Sequence, residues 1–483
     1  MGKNSLLIFF LGFSVVVFAE PLSLNDAIAR AKQNNPQIII NKAHLGKAES
    51  EKTTARSRFF PQLTLSGKMT RIDEPISIDL TPMRSAILGS NYASTYTSVY
   101  SMTQGSYGAE TANTLATSAA TQGQTALASK LPEDDFNIQV QDKLFFNATA
   151  TLIWPIFTGG RIFSAYKAAS ENVDAQKSAY SMSENSILME VCARYFGVRL
   201  YEEMVSLRTE AYNTLQEHVD QAKKLEAGGQ ISRAERLRAE VALAEAQNEK
   251  DNAERDLSLA RLALANSLGS SDTALSATTP IEPVEIKESL EFYRQRAEEN
   301  YPGIKQLEVE KKRSERAVTA ARGEYFPTVA LFGQKELYTK DLTILQPEWA
   351  VGVSVEWNLF HGGETAGKVA EAKSTKREVE GLQNQAIQNI SLLVEKRYRE
   401  YEHAKGQLET LRKTEELAQE SLEDQKKAFE AGMGTSLDVV DAQLSLERLR
   451  VATLKADYDA TLALAGLLEA CGEVEQIGKY LEK

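Results

Sequence analysis

The chain has 483 residues, with 55 Lys and Arg against 67 Asp and Glu, and a formal net charge of −12. The acidic residues are spread along the chain, so nucleic acid is not an expected partner. Two cysteines, Cys192 and Cys471, exclude a disulfide-built scaffold, although a single bridge between them stays open.

The N-terminal segment 1–19 is typical of a secretory signal peptide. Lys3 precedes the apolar run Leu6–Phe18, and Ala19 completes a cleavage site, so we expect an exported chain whose mature form begins near Glu20. No stretch after Ala19 reaches the roughly 18 to 20 apolar residues of a transmembrane helix. Any membrane segment of this chain is therefore expected to consist of strands.

Two copies of one unit make up most of the chain. Segment Asn34–Gly67 recurs 266 residues later as Asn300–Gly333, and Trp154–Gly160 recurs 203 residues later as Trp357–Gly363. The two offsets differ because the first copy has an insertion of 63 residues between its first two strands. Internal repetition of this length indicates a duplicated structural unit.

Each copy is predicted to contain a helix, a strand pair, a very long helix, a tight turn and a second long helix. The first copy also carries the insertion, which we place in an outer loop. The predicted boundaries are the signal peptide at 1–19, the first structural repeat at 20–269 with the insertion at about 72–138, a linker at 270–288, the second repeat at 289–472 and a short tail at 473–483.

Four short segments alternate apolar and polar residues at the period of two that a strand requires. They begin after Pro61, near Leu144, after Pro327 and near Val351. Strands of about ten residues with one apolar face are typical of membrane barrels. Each segment alone would also fit a half-buried strand in a soluble sheet.

Two runs without proline, 161–228 and 365–431, predict helices of about 100 Å. Compact globular domains do not hold helices of this length. The second returning helix has apolar residues at alternating steps of three and four, with Glu447 and Thr461 in two polar positions, which predicts a coiled-coil seam. The apolar positions are Leu437, Val440, Leu444, Val451, Leu454, Tyr458, Ala465 and Leu468.

Four strands cannot close a membrane barrel, because even the smallest closed barrels use eight. An open sheet edge in lipid would leave backbone groups unpaired. A subunit with four membrane strands must therefore form an oligomer, and three copies would supply twelve strands.

These elements, in this order, resemble the TolC family of outer-membrane efflux proteins. The resemblance covers nearly the whole mature chain and rests on motif order and spacing. The matching motifs are the Asn-x-Pro helix openings at Asn34 and Asn300, the Phe-Pro strand starts at Phe60 and Phe326, the Phe-x-Gly-Gly elements at Phe157 and Phe360, and the Asp-Val-x-x-Ala element at Asp438.

The resemblance implies a mainly α-helical fold with membrane β-strands. The family forms a homotrimer in which a twelve-stranded outer-membrane barrel, four strands per subunit, is continuous with a long periplasmic α-helical barrel. It implies a passive, gated exit duct of a tripartite efflux or type I secretion system, in contact with outer-membrane lipid. It also implies a periplasmic adaptor, or membrane fusion protein, and an inner-membrane pump or ABC transporter as partners.

The resemblance places an acidic gate at Asp438 and Asp441, which lie three residues apart and therefore share one helix face. Glu235 follows the first turn and is a further candidate. An acidic residue in the first turn of a helix also stabilises the helix through its dipole, which is the structural alternative. Phe429 and Gly434 depart from the basic and tyrosine residues that many relatives carry, so the contacts that close this tip are not predicted.

Two glycine-containing turns end the long helices. Glycine permits positive φ there, and Ser or Thr can cap the returning helix, which alone explains these residues. The resemblance adds contact with the helical hairpins of the adaptor. The tip residues are Gly228, Gly229 and Ser232 in the first copy, and Gly432, Gly434 and Thr435 in the second.

The insertion has an unusual composition, because only Arg84, Glu110 and Lys130 are charged between positions 81 and 130. Ser, Thr, Ala, Gly and Tyr dominate the rest. Long barrel loops face outward, so we expect this segment outside the cell. Disorder is the first expectation for it, and a lid over the pore or a surface receptor are the alternatives.

No enzyme is predicted. The segment Gly362–Val369 nearly matches a phosphate-binding loop, but Val369 occupies the position where a hydroxyl must bind magnesium. The four histidines, His44, His218, His361 and His403, lack metal-ligand spacing, and no cofactor or metal is expected. The alternative to a channel is a periplasmic coiled-coil adaptor or spacer without membrane strands.

Overall fold

A computed structural model of the chain describes residues 20–282, 285–341, 343 and 346–481. The predicted signal peptide at 1–19 lies outside these residues. The chain forms two compact units. The helical unit runs to Ala55 and includes Phe163–Ala321 and the chain from Glu364, and the sheet unit comprises Arg56–Ile162 and Arg322–Gly363.

Helices account for most of the described residues. No helix among them combines the length and the hydropathy that a bilayer span requires. In chain order the helices are α1 Leu24–Asn34, α2 Pro36–Ser57, α3 Thr81–Tyr107, α4 Ala109–Lys130, α5 Arg161–Ala227, α6 Arg233–Leu268, α7 Leu290–Asn300, α8 Pro302–Gly323, α9 Glu364–Glu430, α10 Ser436–Ala470 and α11 Ile477–Leu481.

Within the described residues, the strands form one four-stranded sheet and two strand pairs. Strands β1 and β6 pair in parallel, and β3 and β4 pair antiparallel. In chain order the strands are β1 Glu20–Leu22, β2 Gln62–Arg71, β3 Ile76–Asp79, β4 Asn137–Gln141, β5 Leu144–Phe157, β6 Leu275–Ala277, β7 Thr328–Glu336 and β8 Trp349–Glu356.

Capping residues begin the same helices in both repeats. The Ser23 hydroxyl accepts a hydrogen bond from a backbone N–H three residues on, at the start of α1, and Ser289 does the same for α7. Pro36 and Pro302 are the first residues of α2 and α8, where the missing N–H has no helical partner to lose. The duplicated sequence thus forms duplicated helix pairs.

The core of the helical unit surrounds two aromatic side chains of α5. Tyr195 and Phe196 are fully buried, with their rings edge to face at 5.4 Å between centroids. The Tyr195 hydroxyl donates to the Leu22 carbonyl at 2.7 Å and accepts from the Thr279 backbone N–H at 2.9 Å. This tyrosine fixes a long helix to β1 and to the residues that follow β6.

Both cysteines lie in this core as free thiols. Cys192 is on α5, and Cys471 directly follows α10. Burial in apolar surroundings raises the pKa of each thiol to about 12. The bridge that the sequence left open is not formed, and both thiols act as small apolar side chains.

The sheet unit contains the four predicted strands, in the antiparallel order β2-β5-β7-β8. The register places Leu63 opposite Leu152, Leu152 opposite Gly333, and Gly333 opposite Val351. The side chains of Leu63, Leu152 and Val351 therefore lie on one face of the sheet. That apolar face is open, since Leu63 is 68% exposed and Val351 is 72% exposed. Strands β2 and β8 are the two edges of the sheet.

The Gly-Gly pairs after β5 and β8 have a backbone conformation that other residues rarely adopt. Gly159 and Gly160 have φ values of +63° and +80°, and Gly362 and Gly363 have +56° and +90°. A Cβ atom on Gly159 would lie 2.1 Å from the Gly323 carbonyl oxygen. The repeated motif therefore marks the strand-to-helix turn.

The insertion is helical, so the expectation of disorder is wrong. Helices α3 and α4 form an antiparallel hairpin with Gly108 alone between them. The β3–β4 pair carries the hairpin and was not predicted. The Arg84 guanidinium donates to the Leu131 carbonyl at 2.8 Å, which closes the base of the hairpin.

Candidate gate and hairpin tips

The first tip joins α5 to α6 through a turn that depends on glycine. Gly229 has φ +70°, and the Ser232 hydroxyl caps α6 by accepting from the Glu235 backbone N–H at 3.3 Å. Arg236 of α6 reaches back to Glu226 of α5 at 2.5 Å. Hydrogen bonds to Glu240 and Glu226 raise the pKa of Arg236. This ion pair ties the two ends of the turn together.

The second tip joins α9 to α10, and its turn has little room for side chains. Gly432 has φ +70°, and the backbone N–H groups of Met433 and Gly434 both donate to the Ala428 carbonyl. A Cβ atom on Gly434 would lie 3.2 Å from the Phe429 backbone nitrogen. The departure at Gly434 thus has a steric reason, because the turn leaves little room for a side chain.

Asp438 closes a capping box at the start of α10. Its carboxylate accepts from the Thr435 backbone N–H at 2.8 Å and from the Thr435 hydroxyl at 2.6 Å. These hydrogen bonds lower the pKa of Asp438. The carboxylate is exposed and charged, but it also has the structural role that the sequence offered as its alternative.

Of the other two candidate carboxylates, Asp441 is exposed and Glu235 is half-buried. Asp441 follows Asp438 by three residues on α10, and Glu235 lies in the first turn of α6 on the other hairpin. The structure therefore places Asp438 and Asp441 on one helix face, and Glu235 on a separate tip.

His218, whose sequence pattern excluded only a metal site, makes contacts near the tips that the sequence did not predict. Its Nε2 atom lies 2.8 Å from the Ser436 hydroxyl, and its ring packs on Phe429 at 4.9 Å between centroids. Burial lowers the pKa of His218, with Lys426 acting in the same direction and the Ser436 backbone opposing it. The imidazole joins α5 of the first hairpin to both helices of the second.

Ion pairs connect the same two hairpins further from the tips. Glu447 of α10, placed by the sequence in a polar position of the seam, is 5% exposed and pairs with Arg208 of α5 at 2.5 Å. Arg208 also pairs with Glu249 of α6 at 3.1 Å. Arg450 pairs with Glu210 at 2.9 Å on more exposed surface. The histidine and these pairs escaped sequence analysis because the partners lie far apart in sequence.

The repeated strands, the long hairpins and the narrow tips define a class of protein, a channel subunit. The family model for outer membrane efflux proteins matches residues 114–270 and 293–473. The chain therefore belongs to the outer membrane efflux protein family, as its resemblance to TolC proteins indicated. The family is one of channels, not of enzymes.

Two curated relatives and one solved structure illustrate the similarity. The chain is 24% identical to outer membrane efflux protein BepC of Brucella suis biovar 1 over 332 residues, which are 67% of this chain and 72% of BepC. It is 25% identical to cobalt-zinc-cadmium resistance protein CzcC of Cupriavidus metallidurans over 337 residues, 68% of this chain and 79% of CzcC. A crystal structure of CusC shares the fold with a TM-score of 0.71 at 16% identity, covering 93% of this chain and 92% of CusC.

The chain is thus an outer-membrane channel component of an efflux system, located in the outer membrane and extending into the periplasm. It acts as a passive exit duct. The alternative of a periplasmic coiled-coil spacer without membrane strands is wrong.

Proposed function

We propose that three copies of this chain assemble into one duct. The observation that carries this proposal is the four-stranded sheet with two open edges, β2 and β8. Unpaired backbone groups at such edges are costly in lipid. If β2 of each copy pairs with β8 of the next, both edges are satisfied and twelve strands enclose a lumen.

The two faces of the sheet suit this arrangement. Leu65, Met69 and Val353 lie on the apolar face and are each at least 60% exposed in the single chain. Thr64 and Ser66 point to the opposite face, because side chains alternate along a strand. In the proposed trimer the apolar face contacts outer-membrane lipid, and the polar face lines the lumen.

Gel mobility of the detergent-extracted protein tests the trimer. We expect an unheated sample to migrate at about three times the mass of the mature chain and a boiled sample to migrate as a monomer, because paired barrel strands resist detergent. The unheated oligomer should also form pores in planar bilayers. Recovery as a water-soluble periplasmic monomer would contradict the proposal.

We further propose that Asp438 and Asp441 form two acidic rings at the periplasmic mouth. Three copies would place six carboxylates around a narrow opening, where they attract cations and repel anions. Glu235 would add the corresponding carboxylate of the first repeat. Asp438 also caps α10, so its replacement changes the helix and the ring together. Asp441 is therefore the cleaner residue to replace.

The selectivity of single channels tests the acidic rings. We expect Asp441→Asn to lower the cation-to-anion permeability ratio at least threefold and to weaken block by a trivalent cation about tenfold. Asp256→Asn, at an exposed position of α6, is the matched control and should change neither quantity. Unaltered selectivity and block in Asp441→Asn would remove the gate assignment.

We also propose that the tips bind a periplasmic adaptor, and through it an inner-membrane pump or ABC transporter. Positive-φ glycines and short capping side chains keep both tips slender enough for end-to-end contact with helical hairpins. The proposed contact residues are Gly228, Gly229, Ser232, Gly432, Gly434 and Thr435.

Site-directed crosslinking tests the adaptor contact and leaves the helix-capping residues Ser232 and Thr435 in place. Gln230 and Met433 lie in the two tip turns and are exposed. We expect Gln230→Cys and Met433→Cys to give adducts with the adaptor in cells. Leu417→Cys, at a 66% exposed site of α9 away from the turn, is the control and should give none. Adducts at the control site alone would exclude tip contact.

A further inference from the structure

Helix α3 of the α3–α4 hairpin is built largely from residues that do not stabilise an isolated helix. One quarter of the whole chain is charged, yet only three charged residues occur between positions 81 and 130. Helix α3 consists largely of Ser, Thr, Tyr, Gly and Asn, whose helix propensity is low. The alanines of α4 favour a helix, and the ion pair of Arg84 with Glu133 lies at the base of the hairpin. Along α3 neither propensity nor ion pairs supply comparable support, so this helix depends on packing.

Packing within the hairpin is thin. The tyrosines of α3 stack along the helix, with centroids 6.4 and 5.7 Å apart, and the Tyr96 hydroxyl donates to Asn113 at 2.7 Å. Three of the buried side chains are single methyl groups, which remove little apolar area from water. The buried side chains of the two helices are Leu88, Ala112, Ala116 and Ala120.

Each helix carries a further, exposed row of residues, which we call the outer stripes. Their positions follow alternating steps of four and three residues, the spacing of a coiled-coil seam, and none is charged. Met83 is 60% exposed, Ile87 37% and Leu115 43%. The stripe on α3 is Met83, Ile87, Ser90, Ser94, Thr97 and Ser101. The stripe on α4 is Thr111, Leu115, Ser118, Gln122, Thr125 and Ser129.

We propose that the outer stripes bind the same hairpin of neighbouring copies, so that the hairpins pack together at the outer end of the duct. This inference rests on the proposed trimer. The Ile72 backbone N–H donates to the Lys143 carbonyl at 2.9 Å, between the β2–β5 pair and the β3–β4 pair that carries the hairpin. Since β2 is a sheet edge, the hairpin departs from the strand that meets the next copy.

The chemistry of the stripes fits a second copy of the chain. A surface without charge lets copies of an acidic chain approach one another without repulsion. Small side chains also allow close helix contact, and the larger Met83, Ile87 and Leu115 gain burial. The extra burial supplies the packing that the isolated hairpin lacks.

Crosslinking within outer membranes tests this contact. Ser94→Cys places a thiol on the α3 stripe, and both native thiols are buried. With a short bis-maleimide we expect covalent dimers from Ser94→Cys, because each copy then has one reactive thiol. We expect at least fivefold less product from Ala93→Cys, which points about 100° away around the helix. Equal yields, no product, or adducts only to another protein would overturn the proposal.

Added charge gives a second test. Ser90→Glu with Ser94→Glu should open the packed hairpins and accelerate chymotrypsin cleavage after the α3 tyrosines at least tenfold. The uncharged pair Ser90→Thr with Ser94→Thr should stay within twofold of the wild type. A hydrated hairpin would tolerate the glutamates, so equal cleavage rates would contradict the proposal.

Both tests are carried out on protein that migrates as a trimer before heating. If the trimer forms and the hairpins neither crosslink nor respond to charge, the hairpin contact is wrong and the duct stands. If no trimer forms in the wild type, the proposed assembly itself fails.

Discussion

The chain contains two kinds of antiparallel helical hairpin, and they are stabilised differently. The α9–α10 hairpin buries large side chains near its tip and has a capping box at Thr435 and Asp438. The α3–α4 hairpin buries mostly alanine, and Leu80 provides no side-chain cap for α3. Contacts within the same chain stabilise the α9–α10 hairpin, whereas the α3–α4 hairpin depends on contacts from outside it.

Removal of the Phe429 side chain should have the largest effect on the stability of the α9–α10 tip. Phe429 is 3% exposed and packs against Leu422, Val439 and Leu446. We expect Phe429→Ala to lower the local opening free energy of the tip by about 3 kcal/mol, because it leaves a cavity. Amide hydrogen exchange of residues 428–440 measures this quantity. Leu417→Ala, at an exposed site of α9, should change it by less than about 0.5 kcal/mol.

Loss of the buried ion pair between Glu447 and Arg208 should have the second largest effect on stability. Glu447→Gln keeps the side-chain size but removes the charge that pairs with Arg208, which retains only Glu249. We expect a loss of about 2 kcal/mol in exchange protection where α5 meets α10. Lys427→Gln, at an exposed pair with Asp424, is the control and should cost less than about 0.5 kcal/mol. Equal effects would mean that burial of the pair is unimportant.

The capping box should contribute less to the stability of the tip than the buried ion pair does. Thr435→Ala removes the hydroxyl that accepts from the Asp438 backbone N–H. We expect exchange of the first-turn amides of α10 to accelerate by a factor corresponding to about 1 kcal/mol. Thr435→Ser keeps the hydroxyl and should behave as the wild type. If both variants exchange equally fast, the cap does not hold this tip.

The smallest effect should be a pH dependence from His218. Its folded pKa lies below the ordinary value of about 6.5, so neutral His218 is favoured in the packed tip. The stabilisation is complete above pH 6.5 and declines as pH falls from 6.5 toward the folded pKa. Asp438, with its pKa lowered, loses its contribution only in stronger acid.

Exchange at the tip between pH 7 and 5 measures this dependence. We expect protection to weaken as the pH falls in the wild type and to stay flat in His218→Gln, after correction for intrinsic exchange rates. An identical slope in both proteins would exclude His218 as its source.

The parts of the fold that local pattern governs were predictable. Period-two alternation after Pro61 and Pro327 located β2 and β7, and the run without proline from 365 to 431 located α9. The helical insertion was not predictable, because its Ser, Thr, Tyr and Gly residues favour other conformations in isolation.

In the candidate site, too, local sequence pattern predicted some contacts and missed others. The sequence placed Asp438 at the start of a helix, and its capping role follows from that position. The contact of His218 with Ser436 joins residues 218 positions apart, and the partner of Glu447 lies 239 positions away. Such pairs depend on how two hairpins align, which no local pattern records.

A structure of the assembled protein in a lipid nanodisc would test the proposed duct most directly. We expect three copies, with β2 of each hydrogen-bonded to β8 of the next and the apolar face of every sheet against lipid. A single copy whose β2 and β8 edges are covered by its own chain would contradict it.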